Sequence, residues 1–151
     1  MGNRVILLLM LVTAQIGFAQ KSGDLAFGLL WGAHVTHPQK VSATIGLIGG
    51  RLETDGNLSG ISGFSIEAEA GLGGARGFIG HAAYFRPALF GYSYGFSVLR
   101  TWRNPWLAKS EKWFIGFSGD ASFFLGNFKL GLYRRSDKNS FLVSSGVGFK
   151  W

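Results

Sequence analysis

Phe90-Gly91-Tyr92-Ser93-Tyr94-Gly95-Phe96-Ser97-Val98 alternates large and small residues without a break. Side chains two apart on a strand share a face, so Phe90, Tyr92, Tyr94, Phe96 and Val98 form one surface and Gly91, Ser93, Gly95 and Ser97 the other. A soluble β-sandwich buries its large face and dresses the other with Lys, Glu, Asp and Thr. The second face here is too small and too poor in charge for a solvated exterior. It suits the lumen of a narrow closed barrel, where inward side chains must be small or mutually paired. The large face is therefore expected to meet lipid.

The same period of two recurs on either side. Leu25, Phe27, Leu29, Trp31, Ala33 and Val35 oppose Ala26, Gly28, Leu30, Gly32 and His34. Val41, Ala43, Ile45 and Leu47 oppose Ser42, Thr44, Gly46 and Ile48, and Phe64, Ile66, Ala68, Ala70 and Leu72 oppose Ser65, Glu67, Glu69 and Gly71. Trp113, Ile115, Phe117, Ala121 and Phe123 oppose Phe114, Gly116, Ser118, Asp120 and Ser122. Phe128, Leu130 and Leu132 oppose Lys129, Gly131 and Tyr133, and the stretch from Phe141 to Trp151 ends the chain in the same manner. Phe78 to Arg86 is a further strand whose phase the pattern leaves open. The expectation is all-β: an eight-stranded antiparallel up-and-down transmembrane β-barrel, with strands of the length a tilted membrane crossing needs.

Composition agrees. Glycine accounts for 24 of 151 residues against a usual level of about 7%. Charged residues are 15% where about 25% is usual, and cysteine is absent. A disordered acidic tail, a disulfide-stapled module and a cysteine-ligated metal domain are thereby excluded. Glycine also interrupts nearly every window long enough for helical periodicity. At the N-terminus, Arg4, the apolar run Val5 to Val12 and the small residues Gly17 and Ala19 have the order of a secretory signal. Residues 1–19 are read as a cleavable signal peptide and 20–151 as one barrel domain.

With the N-terminus on the periplasmic side, connections at Leu52 to Leu58, at Arg86-Pro87-Ala88 and near Gly126-Asn127 are expected to be periplasmic. Those at Thr36 to Lys40, Gly73 to Gly77, Thr101 to Lys112 and Ser136 to Ser140 would be extracellular. Phe141-Leu142-Val143-Ser144-Ser145-Gly146-Val147-Gly148-Phe149-Lys150-Trp151 resembles the C-terminal strand of bacterial outer-membrane barrels, which ends in an aromatic residue with apolar residues at alternate positions. The resemblance implies that Phe149 and Trp151 are read by the barrel-assembly machinery. Taken with the signal and strand count, the whole mature chain resembles small eight-stranded outer-membrane proteins of the OmpA-transmembrane-domain and OmpX kind.

Parity turns Glu67, Glu69, Asp120, Lys129, Arg135 and Lys150 inward, and an unpaired buried ion is costly, so these charges must pair. A polar plug is the plain reading, with a proton or small-ion path as the other. If the hairpins centre on Ala75 and Pro87, then Glu69, His81 and Ser93 share the lumen on adjacent strands, and His81 joins the polar network. A carboxylate, an imidazole and a hydroxyl in that order are hydrolase logic. Outer-membrane lipid A deacylases, however, carry a histidine-x-serine motif that no histidine of this chain matches. His34 and His37 lie three apart without further ligands nearby, so no metal and no cofactor is expected.

On the extracellular side Lys40, Arg76, Arg100, Arg103, Lys109, Lys112, Arg134, Arg135 and Lys138 face Glu111 and Asp137. Arg100, Arg103, Lys109 and Lys112, with Trp102 and Trp106 beside them, read equally as solvated loops or as contacts to lipopolysaccharide phosphates in the interfacial belt. Export away from nucleic acid removes the partner that a pI near 10.1 would otherwise suggest. The expected role is non-enzymatic, structural or in surface interaction, with outer-membrane lipid, lipopolysaccharide and the assembly machinery as partners. A lipid or lipid A hydrolase, and a narrow pore, are the alternatives.

Overall fold

The structure is a computed structural model, and it describes residues 22–55, 58–86, 90–102, 104–124 and 126–150. The expected signal peptide, Arg103 and Trp151 lie outside the described residues. Among those described, eight strands run in chain order: β1 (Leu25–Thr36), β2 (Lys40–Asp55), β3 (Leu58–Gly71), β4 (Gly74–Arg86), β5 (Phe90–Thr101), β6 (Trp113–Phe123), β7 (Gly126–Arg135) and β8 (Phe141–Lys150). Each pairs antiparallel with the next, and β8 returns to β1, closing the sheet on itself.

The register sets the dimensions. One circuit along paired residues runs Leu25, Arg51, Ser62, Ala83, Tyr92, Ala121, Phe128, Val147 and back to β1 at Val35, ten residues beyond its start. With a rise of about 3.3 Å per residue and strands about 4.7 Å apart, a ten-residue stagger over eight strands tilts them by about 41° and gives a radius of about 8 Å. Such an interior is filled by side chains. The stagger is even, so the inward face returns to itself and parity holds round the ring.

Burial follows that parity. Positions such as Phe27, Leu47 and Phe117, at 79, 65 and 70% exposure, point outward, while Ser65, Glu67 and Ser97 are sealed inside. Two apolar clusters also occupy the lumen. Leu30, Ile48 and Ala82 pack with Ile61 and Tyr84 towards the end where β2 meets β3. Leu99, Phe114 and Tyr133 pack with Leu142 towards the opposite end.

Three expectations need correction. The β2–β3 connection expected over Leu52 to Leu58 begins only after Asp55, since the strands stay paired as far as Asp55 and Leu58. The β3–β4 connection is the two-residue turn Leu72-Gly73, with Gly71 opposite Gly74, and not a loop over residues 73–77. The phase of β4 follows from it: Arg76, Phe78 and Ala82 are buried inward, and His81 takes the outward parity.

The longest connection, between β5 and β6, folds over the barrel mouth. Trp102 N donates to Gly73 O (3.1 Å), Trp106 N to Pro38 O (3.1 Å) and Trp102 Nε1 to Leu72 O (3.1 Å). Gly73 permits this approach, since a Cβ there would lie 2.5 Å from Pro38 O and 3.0 Å from Pro105 Cα.

Candidate functional site: the lumen network and the basic rim

Three cations and three carboxylates meet inside the barrel among the described residues. Lys129 reaches from β7 across the lumen to Glu69 on β3, Nζ to Oε2 at 2.7 Å, and Arg76 Nη2 stands 3.1 Å from the same oxygen. Ser42 Oγ donates to Glu69 Oε1 (2.6 Å), and Lys129 Nζ also donates to Thr44 Oγ1 (3.2 Å) and lies 3.3 Å from His34 Nδ1. Lys150 from β8 bridges Glu67 (2.6 Å) and Asp120 (2.8 Å) and sits over the Tyr84 ring. Asp120 further accepts from Ser93 (2.9 Å) and Asn127 (3.2 Å). Arg76 joins the two halves, its Nη2 3.8 Å from Glu67 and its Nη1 donating to Ser118 (3.2 Å).

The charges balance, and they are held between the two apolar clusters away from water. Side chains from β3, β4, β6, β7 and β8 are thereby tied across the lumen. Such ties satisfy the buried charges at the cost of their desolvation, and they strongly penalise removal of any one member. Small residues make the room: at Gly148 a Cβ would fall 2.6 Å from His34 Cδ2 and 2.2 Å from Ala33 O.

Glu67, Glu69, Asp120, Lys129 and Lys150 thus stand in the lumen as parity predicted. Arg135 is also buried, but at the mouth, where it pairs with Asp137 and not with the central network. His81 does not belong. It sits on the outer wall, stacked at 5.5 Å on Tyr94 and 6.0 Å on Tyr92, with Nε2 3.5 Å from Ser62 Oγ. The postulated Glu69, His81 and Ser93 triad is therefore not assembled. Glu69 lies opposite Arg76, His81 opposite Phe64 and Tyr94, and Ser93 opposite Ala82 and Asp120. The cause is the turn: moving the hairpin centre from Ala75 to between Leu72 and Gly73 shifts every partner by an odd number of residues, which turns the strand over.

The same turn brings Arg76, expected on the extracellular side, into the lumen as the cation joining both halves of the network. A two-residue connection ending in glycine, flanked by alternating apolar residues, was the signal that would have found it. His34 carried a usable signal as well, since its parity already lay with the small face. His34 and His37 do not converge: His37 Nδ1 is 3.0 Å from Val143 O, at the β1–β8 seam. Among the described residues no group of three His, Cys, Asp or Glu side chains is set to hold a metal ion.

At the rim, Arg100 and Arg134 face outward at the upper ends of β5 and β7, Arg100 lying over the Trp113 ring at 5.0 Å. Lys112 is not free for an outside partner, because it pairs with Asp137 at 3.1 Å. Hydrogen bonds from Arg135 and then Lys112 hold the exposed Asp137 carboxyl down at about 2. Trp102 and Trp106 are partly exposed where the long connection is pinned to its neighbours, and the Lys109 carbonyl accepts from Thr101 Oγ1 (2.6 Å). Compared with protein-family models, with curated proteins and with solved structures, the chain finds no match in any of the three.

Proposed function

We propose that the chain is an integral β-barrel of a bacterial outer membrane, exported by residues 1–19. Its role is structural or in surface interaction, with the rim in the lipopolysaccharide headgroup layer. The carrying observation is where charge lies. Among the described residues, outward positions between Arg51 near the lower end and Arg100 and Arg134 at the upper end carry no Asp, Glu, Lys or Arg. That interval is about 30 Å along the axis for strands tilted near 41°, close to the thickness of a bilayer's hydrocarbon core. Water would penalise an apolar wall of that size at about 25 cal/mol per Å², whereas a bilayer favours it.

A lumen filled by ion pairs between two apolar clusters speaks against a pore. The separation of Glu69, His81 and Ser93 removes the geometry that suggested a hydrolase. The test is fractionation of cells expressing the chain, followed by gel mobility of boiled and unboiled samples. Recovery with the outer membrane and a heat-dependent shift support the reading. Recovery in the soluble periplasm without a shift overturns it.

A further inference from the structure

The β7–β8 hairpin carries a cleft of about 430 Å³ lined by Ile115 of β6 and by residues 134–139. Its charges divide into two sets. Asp137 is consumed by Arg135 and Lys112. Arg134 and Lys138 are left without a carboxylate partner among the described residues, on the outward side of the cleft. The wall beside them is apolar: Ile115, opposite Arg134 in the register and 45% exposed, lines the cleft, and Phe141, outside the cleft lining, pairs with Arg134 on its other side. Arg100, one strand further round, adds a third cation at the same level, also without a carboxylate partner.

We propose that this cleft is a binding site for the phosphate group of a bilayer lipid, taken up from the outer leaflet with its acyl chains lying against Ile115 and Phe141. The inference rests on the membrane reading above and sharpens it. The contact moves from the long β5–β6 connection, whose Lys112 is already neutralised, to the β7–β8 hairpin. Arg134 and Lys138 supply charge-assisted donors to phosphate oxygens, and Asn139 supplies a neutral one, while the Ser136 hydroxyl already donates to Trp113 O. A free anion would meet the cations but gain nothing from the apolar wall. A zwitterionic lipid would meet the wall but bring a competing cation to Arg134.

The test uses the full chain reconstituted in phosphatidylcholine vesicles, with electron spin resonance of spin-labelled phosphatidic acid and spin-labelled phosphatidylcholine as the readout. Phosphatidic acid should associate in preference to phosphatidylcholine. Arg134→Ala with Lys138→Ala should weaken that association about tenfold, as loss of charge-assisted hydrogen bonds implies. Arg51→Ala, at the far end of the barrel, should leave it unchanged. Lys138→Ala alone, in the exposed turn, gives a partial loss in a variant that keeps every strand residue. Equal loss with Arg51→Ala, or no preference for phosphatidic acid, overturns the proposal. Displacement of the label by millimolar inorganic phosphate also overturns it, by making the cleft a soluble-anion site. Flotation separates the two levels of failure: protein that does not float with the vesicles contradicts the membrane reading itself, whereas floating protein without the preference contradicts only the lipid-phosphate site.

Discussion

Lys150 is the residue on which most of the lower network depends. It is one side chain, sealed from water, between two carboxylates on different walls. Lys150→Met would leave Glu67 and Asp120 without their closest cation, and removing one partner of a buried ion pair costs about 3–5 kcal/mol. Denaturant titration of the folded barrel should show a loss of that order, while Lys112→Met, which breaks an exposed pair, should change stability by less than about 1 kcal/mol. Equal effects would mean that the lumen is wetter than its packing implies. Ser93→Ala removes one hydrogen bond to the buried Asp120 carboxylate, whose oxygen keeps Lys150, and should cost about 1–3 kcal/mol as a bond to a charged group.

At the level of elements, the closing seam and the mouth are the informative places. Among the described residues β8 pairs with β1 over Gly32 to Thr36, and the β1–β2 turn extends the contact, His37 N donating to Ser145 O at 2.7 Å. The long β5–β6 connection rests on that turn and on the Leu72-Gly73 turn, so the mouth is capped by backbone hydrogen bonds. Gly73→Ala should push the cap outward, because its Cβ would lie 3.0 Å from Pro105 Cα of the cap and 2.5 Å from Pro38 O, on which the cap rests. The expected signature is faster amide exchange at Trp102 and Trp106 with strand protection retained. Unchanged exchange would show that the cap does not depend on this approach. The β7–β8 hairpin is tied to the long connection through Asp137, whose carboxyl is depressed to about 2 by its two cationic donors. A depressed carboxyl contributes its tie in full above the ordinary aspartate range, and the tie is lost as pH falls through the lowered value. Acid-induced loosening of residues 136–140 between about pH 4 and pH 2 should therefore be present in the parent and absent in Asp137→Asn, as read by exchange or by a label in the hairpin.

For the whole molecule, the decisive contrast is between a wall that meets lipid and one that meets water. Ile45 lies near the middle of the outward apolar belt at 60% exposure. Ile45→Lys in water would be harmless, but at a bilayer midplane Lys costs about 2–4 kcal/mol. Folding the variant in vesicles against a denaturant series distinguishes the two cases. A cost below about 0.5 kcal/mol would remove the membrane reading whatever the fold. In planar bilayers the parent should show no discrete conductance, since both ends of the ion network are covered by apolar side chains.

Alternation alone determined the all-β class, the strand count, and the face of every strand outside Phe78 to Arg86. It did so because a two-residue period in a closed sheet with an even stagger leaves no freedom in which side points inward. It therefore placed Glu67, Glu69, Asp120, Lys129 and Lys150 in the lumen correctly. Partnership was another matter. Which cation meets which anion depends on turn centres and on the ten-residue stagger. Glycine-rich connections such as Gly71-Leu72-Gly73-Gly74 allow several turn centres with nearly equal local propensity. Only the assembled barrel brought Arg76 inside, put His81 outside and carried Lys129 across to Glu69. The lumen's ion pairs join residues up to 83 positions apart, and their geometry is set by how far each strand slides past its neighbour.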